Sequence, residues 1–317
     1  MKIFIAGGAG YIGSVVIPKL LDRGYQVDVI DLLWFGNHLP PEVRVEQKDI
    51  FDLRENDLEG YDQVIFLAGL SNDPMAEFSP AKNFIYNASA TAYLGYLAKR
   101  AKVKRFIYAG SCSVYGYTVN ELYDETKPAV SSYPYGISKL QGEQAVMAMQ
   151  DDDFSVICFR QGTVSGYSPR MRLDLIVNTM FKTALSQGEI MISNPSIWRP
   201  ILSIQDAASA YIRAVEAAPA ISGVFNIASG NYTVGEVADY VKEAVEEKLG
   251  KKVRYNIRNV QDFRNYKVSV DKAINVLSFK PAHDVRSILD DLILNLEKFK
   301  DFDNPQYYNI QVFKQLA

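Results

Sequence analysis

A doubly wound α/β fold on a parallel sheet is predicted by three features of the chain. Short, nearly continuous apolar runs recur along it, and longer amphipathic stretches separate them. A glycine-rich turn, Gly7-Gly8-Ala9-Gly10-Tyr11-Ile12-Gly13, directly follows the first run and opens the first amphipathic stretch.

The apolar runs place strands at residues 2–6, 26–30, 43–46, 63–68, 104–109, 154–159 and 223–228. Runs with little alternation suit strands covered on both faces. The amphipathic stretches place helices at 12–23, 81–102, 135–150, 204–216 and 234–249. Pro18 lies inside the first and should remove one backbone hydrogen bond. Between 166 and 199 the pattern loses its regularity, punctuated by Pro169, Pro195 and Pro200, and the tail from 251 is rich in charge and aromatic rings. These two stretches read as material added at one end of the sheet. The expected division is residues 1–165, with 199–229 returning to them, as the main sheet body. Residues 166–198 and 230–317 then form a smaller, discontinuous C-terminal body.

The 317 residues are 48% hydrophobic and 22% charged, which is neither a disordered nor a membrane composition. A net charge of −3 gives no general attraction to nucleic acid or anionic lipid. No apolar run approaches the length of a membrane span. The first strand meets its glycine turn too soon to be a signal peptide, so a cytoplasmic location is expected. Cys112 and Cys158 make no disulfide framework, and His38 and His283 are too scattered for a metal site.

Gly7, Gly10 and Gly13 are spaced three apart, and Gly8, Gly10 and Gly13 also fit G-x-G-x-x-G. Such a turn needs unusual dihedrals, close approach of backbone to a pyrophosphate, and a helix packed tightly on the sheet. The helix N-terminus then faces negative charge. Asp31 ends the second strand, where an acid can take ribose hydroxyls. Its charge repels a 2′-phosphate and no arginine follows in Leu32-Leu33-Trp34, so NAD is expected over NADP. Leu67-Ala68-Gly69 ends the fourth strand with small residues against which a cofactor can lie.

Tyr135 and Lys139 are four apart and share a helix face. An ammonium near a phenol is expected to lower the phenol's pKa and fit it for proton transfer near neutrality. Ser111, at the end of the fifth strand, can hydrogen-bond the reacting oxygen.

These residues together resemble the extended short-chain dehydrogenase/reductase family, in its nucleotide-sugar epimerase/dehydratase branch. The likeness rests on the turn Gly7–Ser14, the run Ser111-Cys112-Ser113-Val114-Tyr115-Gly116, the pair Tyr135 and Lys139, and Asn87. It implies a Rossmann-type dinucleotide-binding fold, NAD as cofactor and a nucleotide-diphosphate sugar as substrate. Ser111, Tyr135 and Lys139 would be catalytic. Tyr11 and Ile12 of the turn, Asp49 and Ile50 at the adenine, and Asn87 would join the cofactor site. Arg199, in Trp198-Arg199-Pro200-Ile201-Leu202-Ser203-Ile204-Gln205-Asp206, would grip the substrate diphosphate, a task suited to a guanidinium. Asn178 would contact substrate, and Arg264 or Arg258 would give a second phosphate contact. Pro200 and Ser203 depart from the aspartate and histidine usual there.

The reaction implied is removal of hydride from a sugar carbinol to NAD. A 4,6-dehydratase would carry an acid pair where Cys112 and Ser113 stand, which leaves an epimerase, or a 4-dehydrogenase or ketoreductase. The run 168–175 resembles a subgroup acting on less common sugars, nucleotide-linked heptoses among them. A non-catalytic dinucleotide sensor is the reading from another class, and it usually lacks the tyrosine–lysine pair. The family's helices equivalent to 81–102 and 135–150 pair across a two-fold axis, which implies a homodimer.

Overall fold

The protein, seen in a computed structural model, is described over residues 1–258 and 265–316. Its main sheet has seven parallel strands. In spatial order they are Gly223–Ile227, Ser155–Gln161, Arg105–Ala109, Gln63–Phe66, Lys2–Ala6, Gln26–Asp31 and Arg44–Gln47. The three strands from Gln63, Arg105 and Ser155 are buried at every residue, as suits apolar runs covered on both faces, and the polar residues at their ends are buried with them. The Rossmann-type fold expected from the sequence is the one observed.

Helices Gly13–Leu21 and Ile204–Glu216 cover one face over a core that includes Ile5, Ile107, Phe159 and Tyr211. Helices Ala90–Arg100 and Pro134–Met147 cover the other, over Phe66, Phe106 and Tyr108. The first helix runs through Pro18, and the Asp22 amide still reaches the Pro18 carbonyl. The helix expected at 81–102 is not uniform. It is α-helical over Pro80–Phe84, widens to one π-helical stretch at Ile85–Ser89, and is α-helical again from Ala90. A π-turn adds a residue without ending the helix, so side-chain periodicity does not reveal it.

A smaller C-terminal domain stands beyond the carboxyl ends of the strands. Helices Ile176–Gln187, Val234–Leu249 and Val285–Leu294 enclose a second core that includes Phe181, Val241, Leu289 and Phe299. The middle helix carries clear punctuation. Thr233 and Glu236 form a reciprocal capping box at its start, and Gly250 ends it at φ +65°. Sequence periodicity missed the short strands here. Trp198–Ser203 pairs with Gly230–Thr233 and Thr163–Ser165, and Glu189–Ser193 pairs with Arg254–Arg258. A two-stranded pairing of Tyr117–Tyr123 with Asn265–Val268 completes the wall. Among the described residues no helix is long and apolar enough to cross a membrane.

Candidate active site

The turns after six of the parallel strands converge on one cavity of about 650 Å³. In a doubly wound sheet this carboxyl edge is where ligands bind. Gly7 and Gly10 border it after the first strand, Asp31 after the second, Ala68 and Gly69 after the fourth, and Ser111 after the fifth. Tyr11, Ile12, Asp49, Ile50, Leu67, Tyr135 and Lys139 border it too.

Two glycines show why the turn has its sequence. Gly7 sits at φ +77°, and a Cβ there would lie 2.5 Å from the Ala68 Cα. At Gly13 a Cβ would lie 2.0 Å from the Gly8 carbonyl oxygen. Gly13 therefore does not border the cavity; it lets the helix close on the turn. Asp31 accepts hydrogen bonds from the Ala9 amide at 3.1 Å and the Leu33 amide at 2.8 Å. Burial raises its pKa, and these backbone donors oppose the rise. Asp49 holds the start of a 3₁₀ turn by accepting from the Phe51 amide at 3.0 Å.

The floor has the shape a dinucleotide requires. Gly69 sits at φ +123°, and a Cβ there would fall 2.2 Å from the Asn87 Oδ1. Asn87 is fully buried, does not border the cavity, and sits on the π-helical stretch. Its Nδ2 donates to the Leu70 carbonyl, Asn83 and Ser138, while its Oδ1 has no donor. Asn87 thus leaves no space for a side chain at Gly69, and the cavity meets bare backbone there as it does at Gly7 and Gly10, where a flat ring or a pyrophosphate can approach closely; the residues present fit NAD.

Pro134 starts the tyrosine helix, and its fixed φ suits that position. Tyr135 therefore stands in the first turn and Lys139 one turn on. Ser111 caps the 3₁₀ turn Cys112–Tyr115 by accepting from the Ser113 amide at 3.1 Å, and its hydroxyl favours the ionised form of the neighbouring Tyr135 phenol. Lys139 Nζ donates to the Ala109 carbonyl at 3.0 Å, and burial pushes it down to about 8. One expectation needs correction. Burial raises the Tyr135 pKa, the Ser111 hydroxyl opposes the rise, and the cation that lowers it is Arg172. Lys139 is directed at the Ala109 carbonyl instead.

The other side of the cavity departs further from the sequence reading. Arg199 borders it, with its guanidinium 5.6 Å from the Tyr266 ring centre. Asn178 does not border it. Its Oδ1 accepts from the Gly166 amide at 3.0 Å, and its Nδ2 donates to the Arg172 carbonyl at 2.8 Å and the Tyr11 hydroxyl at 3.2 Å. It ties the glycine turn to the segment after Gly166 and has no free donor for a substrate. Arg258 is exposed on its strand and does not border the cavity, and Arg264 lies outside the described residues. Three residues without a prior role border the cavity: Arg170, Arg172 and Asp174. Arg172 and Asp174 form a buried two-point ion pair at 2.8 and 3.1 Å, and Asn72 Nδ2 donates to Asp174 at 3.0 Å. The run 168–175 held the signal, but nothing local showed which side chains turn inward. Among the described residues no three His, Cys, Asp or Glu side chains gather as a metal site would.

Comparison with known proteins agrees with this geometry. The profile of a family described as "NAD dependent epimerase/dehydratase family" matches residues 3–228. A UDP-glucose 4-epimerase of Corynebacterium glutamicum is 25% identical over 312 residues, covering 92% of this chain and 94% of that one. The UDP-glucose 4-epimerase of Thermotoga maritima, solved with UDP-glucose, superposes with a TM-score of 0.82 at 25% identity, over 95% of this chain and 99% of that one. MoeE5, solved with UDP-glucuronic acid and NAD, has the same fold, with a TM-score of 0.83 at 24% identity and coverage of 95% and 99%.

Proposed function

The chain belongs to the NAD-dependent epimerase/dehydratase family, and from that premise we propose that it epimerises a nucleotide-diphosphate sugar through a 4-keto intermediate. At the coarser level it is an NAD-dependent epimerase or oxidoreductase of the nucleotide-sugar class. The observation that carries the finer reading is that Ser111, Tyr135 and Lys139, the last two one helical turn apart, border the same cavity as Gly7 and Gly10 of the glycine turn.

NAD, when bound, supplies the acceptor for the carbinol hydride. Tyr135 takes the carbinol proton at its phenol oxygen and returns it when the ketone is reduced. Ser111 holds the reacting oxygen. Lys139 holds the nicotinamide ribose, and with its pKa pushed down to about 8 it is still mostly charged near neutrality. Asp31 takes the adenosine ribose, Asp49 and Ile50 the adenine, and Asn87 supports the floor. Arg199 grips the substrate diphosphate, and the absence of carboxylates at Cys112 and Ser113 argues against elimination of water.

The division of the chain into residues 1–165 with 199–229, and 166–198 with 230–317, belongs to this reading. The separate core around Phe181 and Leu289 supports it. A homodimer through the helices Ala90–Arg100 and Pro134–Met147 belongs to this reading as well; Tyr96 is exposed on the first.

The test is incubation of purified protein with UDP-, GDP- and dTDP-sugars, read by proton NMR and by absorbance of NADH. An epimerase gives a second sugar at constant NAD. Stoichiometric NADH with a ketone product would instead mark a dehydrogenase. No change with any sugar overturns the catalytic reading.

A further inference from the structure

Arg170 is only 3% exposed, yet it touches no carboxylate. Its Nη2 donates to the Asn309 Oδ1 at 2.5 Å, its Nη1 makes a long 3.3 Å bond to the adjacent Met171 carbonyl, and its Nε has no acceptor. The guanidinium carbon lies 3.7 Å from the Phe35 ring centre. A buried cation held by neutral partners alone is costly to keep. Burial, with Arg172 adding to it, pushes Arg170 down to about 9.

Its position says what would offset that cost. Ser168 Oγ donates to the Tyr11 carbonyl at 2.8 Å, so the segment carrying Arg170 is fastened to the glycine turn. Asp174 and then Asp31 oppose the effect of burial on Arg170 from beyond contact distance. Arg170 borders the same cavity as Gly7 and Gly10, which suit a diphosphate, and Asp31, which suits the neighbouring ribose, while Arg199 pairs with the Tyr266 ring. Asn309 also reaches Ser71 Oγ at 2.7 Å, after the fourth strand. Phe313, on the same C-terminal helix Asn309–Leu316, stacks on Trp34 at 5.7 Å.

We propose that Arg170 is a cofactor-binding residue supplied from outside the dinucleotide fold, its guanidinium contacting the diphosphate of NAD, with Asn309 and the C-terminal helix holding it in place. The proposal rests on NAD binding and deepens the epimerase reading. A cofactor held from both bodies stays bound through the cycle, which suits an enzyme that regenerates it.

The experiment is calorimetric binding of NAD, ADP-ribose, adenosine and UDP to wild type, Arg170→Met and Arg170→Lys. For Arg170→Met the expected result is NAD and ADP-ribose weakened tenfold or more, with adenosine and UDP within twofold. Arg170→Lys keeps the charge but loses the fork, and is expected to fall between the two. Equal weakening of adenosine and NAD would make Arg170 a structural residue and overturn the proposal. So would a loss confined to UDP, or no loss in either variant. If Arg170→Met does not fold, the lysine variant together with the salt dependence of wild-type binding decides. NAD affinity should fall more steeply with salt than adenosine affinity, and parallel salt curves would refute the contact. Failure of the epimerase reading would look different: NAD binds as described and no sugar is converted.

Discussion

Around the glycine turn, each wall residue hangs from the end of a parallel strand whose register is fixed by a buried neighbour, as Ala6 is by Ile30 and Phe66. Around Arg172 and Arg199 the wall is made from a connection, short strands and a C-terminal helix, joined by side-chain bonds such as those of Asn178 and Asn309. The contrast teaches that the cofactor side depends on backbone shape, whereas the substrate side depends on particular polar pairs. Substitutions should separate the two.

The largest effect is expected where the sides meet. Tyr135→Phe keeps the ring and removes the proton-transfer group, so turnover should fall by about 10³-fold, in line with a general acid–base contribution. NAD binding should be retained, since the ring stays and the glycine turn is untouched. Steady-state kinetics with calorimetry checks this, and near-normal turnover would remove Tyr135 from the chemistry.

Next is the backbone side alone. In Gly13→Ala the new methyl must share space with the Gly8 carbonyl oxygen, 2.0 Å away. The helix has to move off the turn, at a cost of about 3 kcal/mol in stability and about a hundredfold in NAD affinity. Denaturant unfolding and NAD titration read the two losses. A variant with wild-type affinity would show that the turn tolerates displacement and would blur the contrast.

Arg199→Met tests the other side. The expected change is a rise of about tenfold in KM for the nucleotide sugar, from loss of a charge-assisted phosphate contact, with NAD affinity unchanged. If NAD weakens instead, the two sides are not separable at this residue.

The same contrast explains what could be read from the chain. Gly7, Gly13, Tyr135 and Lys139 are legible because their motifs have fixed spacing along one turn and one helix, although Gly7 packs on Ala68 and Lys139 bonds the Ala109 carbonyl, both far along the chain. Asp31 is legible because strands end where their apolar runs end. Asn178 was misplaced because its partners, Tyr11 and Gly166, lie 167 and 12 residues away, and no local pattern shows that its amide is already engaged. Arg170 and Arg172 carry no periodic signal in an irregular stretch, and only the fold shows that both turn inward. The π-turn under Asn87 escaped for a related reason: the apolar pattern continues on both sides of it.

The smallest effect concerns the stability cost of a catalytic cation. Lys139 has its pKa lowered by burial from 10.5 to about 8. The unfolded chain therefore binds more protons than the native one between those values, and wild-type stability rises as pH increases through that window. Below about pH 8 the full cost of burying the charge is present. Lys139→Met removes it but leaves the Ala109 carbonyl without its donor. The net gain expected near pH 7 is on the order of 1 kcal/mol, shrinking to nothing or reversing by pH 10. Urea unfolding of both proteins at pH 7, 8, 9 and 10 follows the gap directly. A gap that stays constant with pH would mean that Lys139 is not the titrating group. A closing gap would show a protein that gives up stability to hold an ammonium beside its reactive phenol.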